Sequence, residues 1–104
     1  MSARLTEENF RRHTGTKFGV RVETPRPLEL VLDEVKSYSA SANEPGGMER
    51  FSLFFHGPDD IMLKQGTFTL DHPEMGEITL FMVPIGRDER GVRYEVVFNY
   101  TREE

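Results

Sequence analysis

Cysteine is absent from the 104 residues, which removes disulfides, thiolate nucleophiles and cysteine zinc sites together. No apolar run approaches the roughly 18 residues that a membrane-spanning helix needs. The opening Met1-Ser2-Ala3-Arg4-Leu5-Thr6-Glu7-Glu8 lacks the apolar centre of a secretory signal, so the expectation is a cytoplasmic protein without membrane contact. Basic residues are in the minority: 13 Lys and Arg stand against 18 Asp and Glu, a formal charge of −5. With no basic cluster beyond Arg11-Arg12, this is the reverse of a nucleic-acid footprint, and no nucleic-acid partner is expected. Phosphate-binding glycine signatures are missing too, with no Gly-x-Gly-x-x-Gly after a strand and no Gly-Lys-Ser or Gly-Lys-Thr. Ser37, Ser39 and Ser41 are not set in a nucleophile elbow. No cofactor is implied.

What is there is a β pattern. The length suits one domain over residues 1–104, and 37% hydrophobic residues with eight Phe and three Tyr can bury a core. From Gly66 to Asn99 three consecutive strands follow each other as a meander. Phe68 and Leu70 alternate with Thr67, Thr69 and Asp71, then comes the run Ile78 to Val83, then Val92, Tyr94, Val96 and Phe98 alternate with polar residues, the period of a half-buried strand. The middle run does not alternate, because Phe81 and Val83 are as apolar as Ile78, Leu80 and Met82. That predicts a central strand covered on both faces. Its entry, His72-Pro73-Glu74-Met75-Gly76, has the chemistry of a type I turn closed by a left-handed glycine. Its exit, Gly86 to Gly91, reads as a longer exposed hairpin loop.

Upstream, residues 5–15 predict a short helix. Thr6 is its N-cap, Glu7 and Glu8 fill the first turn, Arg11, Arg12 and His13 the last, and Gly15 the stop. Leu5 and Phe10 form a hydrophobic staple, and the helix is expected to plug one open end of a β structure. Lys17 to Glu23 alternates as a strand that Pro25 and Pro27 end. Leu28 to Ser39 alternates until the phase slips between Asp33 and Val35, which predicts a bulge. Ser39 to Gly47 is small and polar, a candidate mobile loop. Arg50 to His56 is another strand, His56 to Asp60 a turn, and Ile61 to Lys64 a connector. The fold class is mainly β: a small antiparallel barrel or curled sheet of about six strands with one short N-terminal helix.

Phe51-Ser52-Leu53-Phe54-Phe55-His56-Gly57-Pro58, Gln65-Gly66-Thr67-Phe68, His72-Pro73-Glu74-Met75-Gly76, Leu80 to Gly86 and Tyr94 to Asn99 together resemble a family of small bacterial domains of unknown function. The similarity spans nearly the whole chain, apart from Ser39 to Met48. It carries no catalytic residues over. It implies an accessory or assembly role, in the company of phage-tail-like proteins.

Two groups of residues are candidates for chemistry or recognition. His56, Asp59, Asp60 and His72, with Glu74 beside them, could hold zinc or a similar ion if their turns met at one end of the sheet. Solvated turn residues are the simpler account, since Asp and His are common turn formers. Phe54, Phe81 and Val83 lie opposite the expected core face and exceed what a one-sided sheet hides, so they mark a candidate interaction surface. The reading adopted is a non-catalytic protein-interaction or assembly module with a protein partner or self-association. A small metal-binding or ligand-binding barrel stands second and a hydrolytic enzyme third.

Overall fold

Alternation along successive strands gives each one an apolar face, and a sheet that curls until its ends pair can bury all of those faces in a single interior. In the computed structural model, which describes residues 6–24, 27–38 and 48–101, the chain does this. Its elements are α1 (Glu7–Arg12), β1 (Lys17–Val20), β2 (Leu28–Ser37), β3 (Met48–Gly57), β4 (Gly66–His72), β5 (Gly76–Asp88) and β6 (Gly91–Thr101). The strands form a closed antiparallel barrel in the order β1-β2-β3-β6-β5-β4. Closure rests on a short ladder, Gly19 with Asp71 and Val20 with Leu70, prolonged by the Arg21 N–H donating to the Thr69 carbonyl at 2.9 Å.

The interior holds Phe18, Leu30, Leu32, Phe51, Leu53, Phe55, Leu70, Met82, Val92 and Tyr94, all fully or almost fully buried. Phe18 meets Phe55 edge-on at 5.4 Å. Phe10 of α1 enters the same interior and packs on Phe98 and Phe51 at 5.5 and 6.2 Å, so the helix contributes its apolar residue to the core. Thr6 caps it by accepting the Asn9 N–H at 3.2 Å. The expected staple partner Leu5 and the Ser39 to Gly47 loop lie outside the described residues.

The phase slip at Asp33 to Val35 is a register shift between Leu32 and Glu34 in the β2–β3 ladder. Several boundaries differ from expectation. The first strand stops at Val20 instead of Glu23, because the Val22 N–H turns back onto the Val20 carbonyl at 3.1 Å and sends the Val22 side chain against the core, as an inverse turn at a strand end does. His56 and Gly57 continue β3, so the turn there begins later. The Gly86 to Gly91 segment is mostly strand: β5 and β6 pair as far as Asp88 with Gly91, leaving a tight turn at Glu89 and Arg90. Gly91 has φ 129°, and a Cβ there would run into the Gly57 carbonyl, so a side chain is excluded where β6 starts against β3.

The largest correction concerns β5. It is central in the meander, but one face only is covered. Ile78, Leu80 and Met82 are buried, whereas Phe81 is 51% exposed. The barrel seals itself by pairing strand edges, and α1 turns its buried Phe10 to the interior, so among the described residues no second layer forms over the outer face of β5.

Candidate functional site

Outward positions of β3, β6 and β5 fall into register across the strands. Phe54 is paired with Glu95 and Glu95 with Val83, which puts two apolar side chains on either side of one carboxylate. Phe81 follows two residues from Val83 on the same face. Ile85 lies at the register shift between Pro84 and Gly86, and Val97 lies two residues along from Glu95. Val97 is 65% exposed and Ile85 45%, while Phe54 and Val83 are half-buried. The three residues expected to form an interaction surface therefore share a face, and Ile85 and Val97 extend it.

Two polar side chains of this face have local contacts, although the buried Arg93 Nε has no hydrogen-bond partner among the described residues. The Arg93 guanidinium lies 5.7 Å from the Phe54 ring centroid, a cation–π distance. The Ser52 hydroxyl, fully buried, donates to Glu95 Oε2 at 2.8 Å. The β5–β6 ladder runs from Val83 with Glu95 to Asp88 with Gly91, so Phe81 and Val97 flank a stretch of the two strands outside that ladder. Exposed apolar side chains grouped around one carboxylate on the outside of a closed barrel suit protein recognition by face packing.

The other candidate group is not assembled. His56 points outward, and its Nδ1 donates to Asp33 Oδ1 at 2.7 Å; the carboxylate can only accept, which fixes that tautomer. Arg90 approaches the same oxygen at 3.4 Å, and Asp33 Oδ2 has no partner among the described residues. Asp59 pairs with Arg87 at 3.1 Å. His72 points inward, away from all of these. Among the described residues no three His, Asp or Glu side chains come together as metal ligands would. The two histidines belong to opposite faces of the barrel wall, which is why the turn pattern alone misleads.

His72 instead closes a chain of hydrogen bonds beneath α1. Its Nδ1 accepts the Glu74 and Met75 backbone N–H groups at 3.0 and 3.1 Å, so the proton resides on Nε2, which donates to Thr16 Oγ1 at 2.9 Å. Thr16 in turn donates to the His13 carbonyl at 2.6 Å. The ring is held between His13 at 4.6 Å and Phe18 at 4.5 Å. Burial lowers the His72 pKa and the neighbouring His13 adds to that, against a smaller opposing pull from Glu74. Burial likewise raises the Tyr94 pKa, whose hydroxyl accepts the Leu63 N–H at 2.9 Å. Sequence reasoning missed both the Asp33–His56 pair and the His72 chain, since their partners lie 23 and 56 residues apart. The slip at Asp33 was the one local signal, because bulges re-aim side chains.

No helix among the described residues is long and apolar enough to cross a membrane. No curated protein and no solved structure matches the chain. One family does: the match covers residues 5–98, from the helix into the sixth strand, and the chain therefore belongs to the family described as a domain of unknown function (DUF6916).

Proposed function

We propose that this domain is a non-catalytic module that docks another protein on the outer face of β3, β6 and β5. The observation that carries the reading is the pair Phe81 and Val97, each more than half exposed on neighbouring strands of a barrel whose core is already complete. Large apolar side chains grouped on a surface favour association, because covering them recovers about 25 cal/mol for every Å² removed from water. Phe54, Val83 and Ile85 enlarge the same patch, within which Ser52 donates to Glu95 and Arg93 lies over the Phe54 ring. No bond-making chemistry is asked of any residue, which accords with an accessory or assembly role.

The test is a Phe81→Asp, Val97→Asp double variant compared with wild type by sedimentation over a concentration series and by capture of a partner on immobilised domain. Association or capture is expected for the wild type and is expected to be lost in the variant while its far-UV circular dichroism is unchanged. A strictly monomeric wild type that captures no partner, or a partner held equally by the variant, defeats the reading.

A further inference from the structure

Glu95 stands in the middle of the apolar outer face, opposite Phe54 on β3 and Val83 on β5, with Val97 two residues along β6. Its Oε2 accepts the Ser52 hydroxyl at 2.8 Å, a neutral donor that leaves the negative charge in place. Among the described residues Glu95 takes part in no ion pair. The cation two residues before it, Arg93, is turned over the Phe54 ring at 5.7 Å and lies 3.8 Å from Asp88 Oδ2. Glu95 is itself half-buried, so water solvates its charge from the open side of the patch. A purely apolar partner closing over that side would strip the water and leave an uncompensated carboxylate, which is strongly unfavourable. A partner that brings its own cation to the carboxylate avoids that penalty.

We propose that the partner docked on this face is a basic protein surface that lays an arginine side chain across Val83 and Val97, with its guanidinium on Glu95. The inference rests on the docking reading above and names the partner's chemistry. Arginine fits because its guanidinium is weakly hydrated, offers a carboxylate two N–H donors at once and stacks on aromatic rings. Glu95 supplies the carboxylate, and Phe81, 51% exposed and two residues from Val83, supplies the ring. The aliphatic stem of the arginine then covers the valines, as long cationic side chains do on apolar surface. Charge favours this occupant over a second copy of the chain. Each copy carries −5, so two copies repel at a distance, whereas a basic partner is drawn towards the acidic domain.

The test is an NMR titration of the isotope-labelled full chain with the peptide acetyl-Leu-Arg-Leu-amide, set against the same peptide with citrulline in place of arginine, which keeps the shape and lacks the charge. The Val83, Glu95 and Val97 amide shifts are expected to saturate at about tenfold lower concentration with the arginine peptide, a ratio within reach of one charge-assisted pair. That advantage should shrink as the ionic strength rises from about 0.02 to about 0.5 M. In Glu95→Gln, whose amide oxygen can still accept the Ser52 hydroxyl, the two peptides should bind alike. In Phe81→Ala, Val97→Ala both should weaken together, which reads the apolar contacts apart from the charge. Equal affinity of the two peptides for the wild type, or an arginine preference that survives Glu95→Gln, overturns the inference and leaves the apolar docking reading standing. Shifts of the same amides with protein concentration alone make a second copy the occupant, and overturn it too. Binding of neither peptide also overturns it, and the docking reading is then decided separately by sedimentation and capture with the Phe81→Asp, Val97→Asp variant.

Discussion

The two faces of β5 have nearly the same apolar character and opposite fates. Ile78, Leu80 and Met82 are sealed in the barrel, while Phe81, between Leu80 and Met82 in sequence, stands half in solvent. Hydrophobicity thus established that both faces want cover; closure of the sheet decided which one obtained it. A barrel removes its edges by pairing the first and fourth strands, and the only side to which its strands turn apolar residues in common is the inside. Apolar residues on the outer face, Phe81 and Val97 above all, stay exposed. The same contrast separates the histidines: His72, inside, is fixed by backbone donors and Thr16, while His56, outside, is fixed by a carboxylate and has its Nε2 directed away from it.

Substitutions on the two sides should differ in size, and that is the way to break the comparison. Phe55→Ala, inside and packed edge-on against Phe18, should cost about 3 to 5 kcal/mol in a denaturant titration. A loss below about 1 kcal/mol, the surface range, would mean that the interior is not the packed side. Tyr94→Phe sharpens the point, since it keeps the ring and removes only the acceptor of the Leu63 N–H. It should cost about 1 to 3 kcal/mol, the penalty of a stranded buried donor. Because burial raises the Tyr94 pKa, its neutral hydroxyl contributes fully below the ordinary tyrosine value of 10.0, and stability falls as the pH rises beyond it. The variant should lack that alkaline loss. Phe81→Ala should have the smallest effect, about 1 kcal/mol or less, although it removes the same side chain as Phe55→Ala. A cost of about 3 kcal/mol or more, the core range, would show that Phe81 is covered in the isolated domain.

Much of the fold was legible because its signals are local. Alternation identified the strands, Thr6 and Gly15 bracketed the helix, and the slip at Asp33 located the bulge. The site was legible in part. Phe54, Phe81 and Val83 stood out as apolar residues on the wrong face, and the register groups them; Val97 and Ile85 escaped notice because each is a single apolar residue in an otherwise ordinary position. The metal candidates stay apart for a reason that no spacing reveals: alternation sends His56 outward and His72 inward, and the two turns supply different neighbours to each.

By itself the sequence determined a mainly β chain with one short capped helix, since period-two apolarity, turn glycines and cap residues act over a few residues at a time. Whether that sheet stayed open or closed was decided only in the tertiary structure, by β1 meeting β4 across some fifty residues. Closure then set everything that depends on inside and outside: the burial of His72 beneath α1, the Asp33–His56 contact, and the exposure of Phe81. These are consequences of which strands become neighbours, and neighbourhood in a barrel is a property of the whole chain.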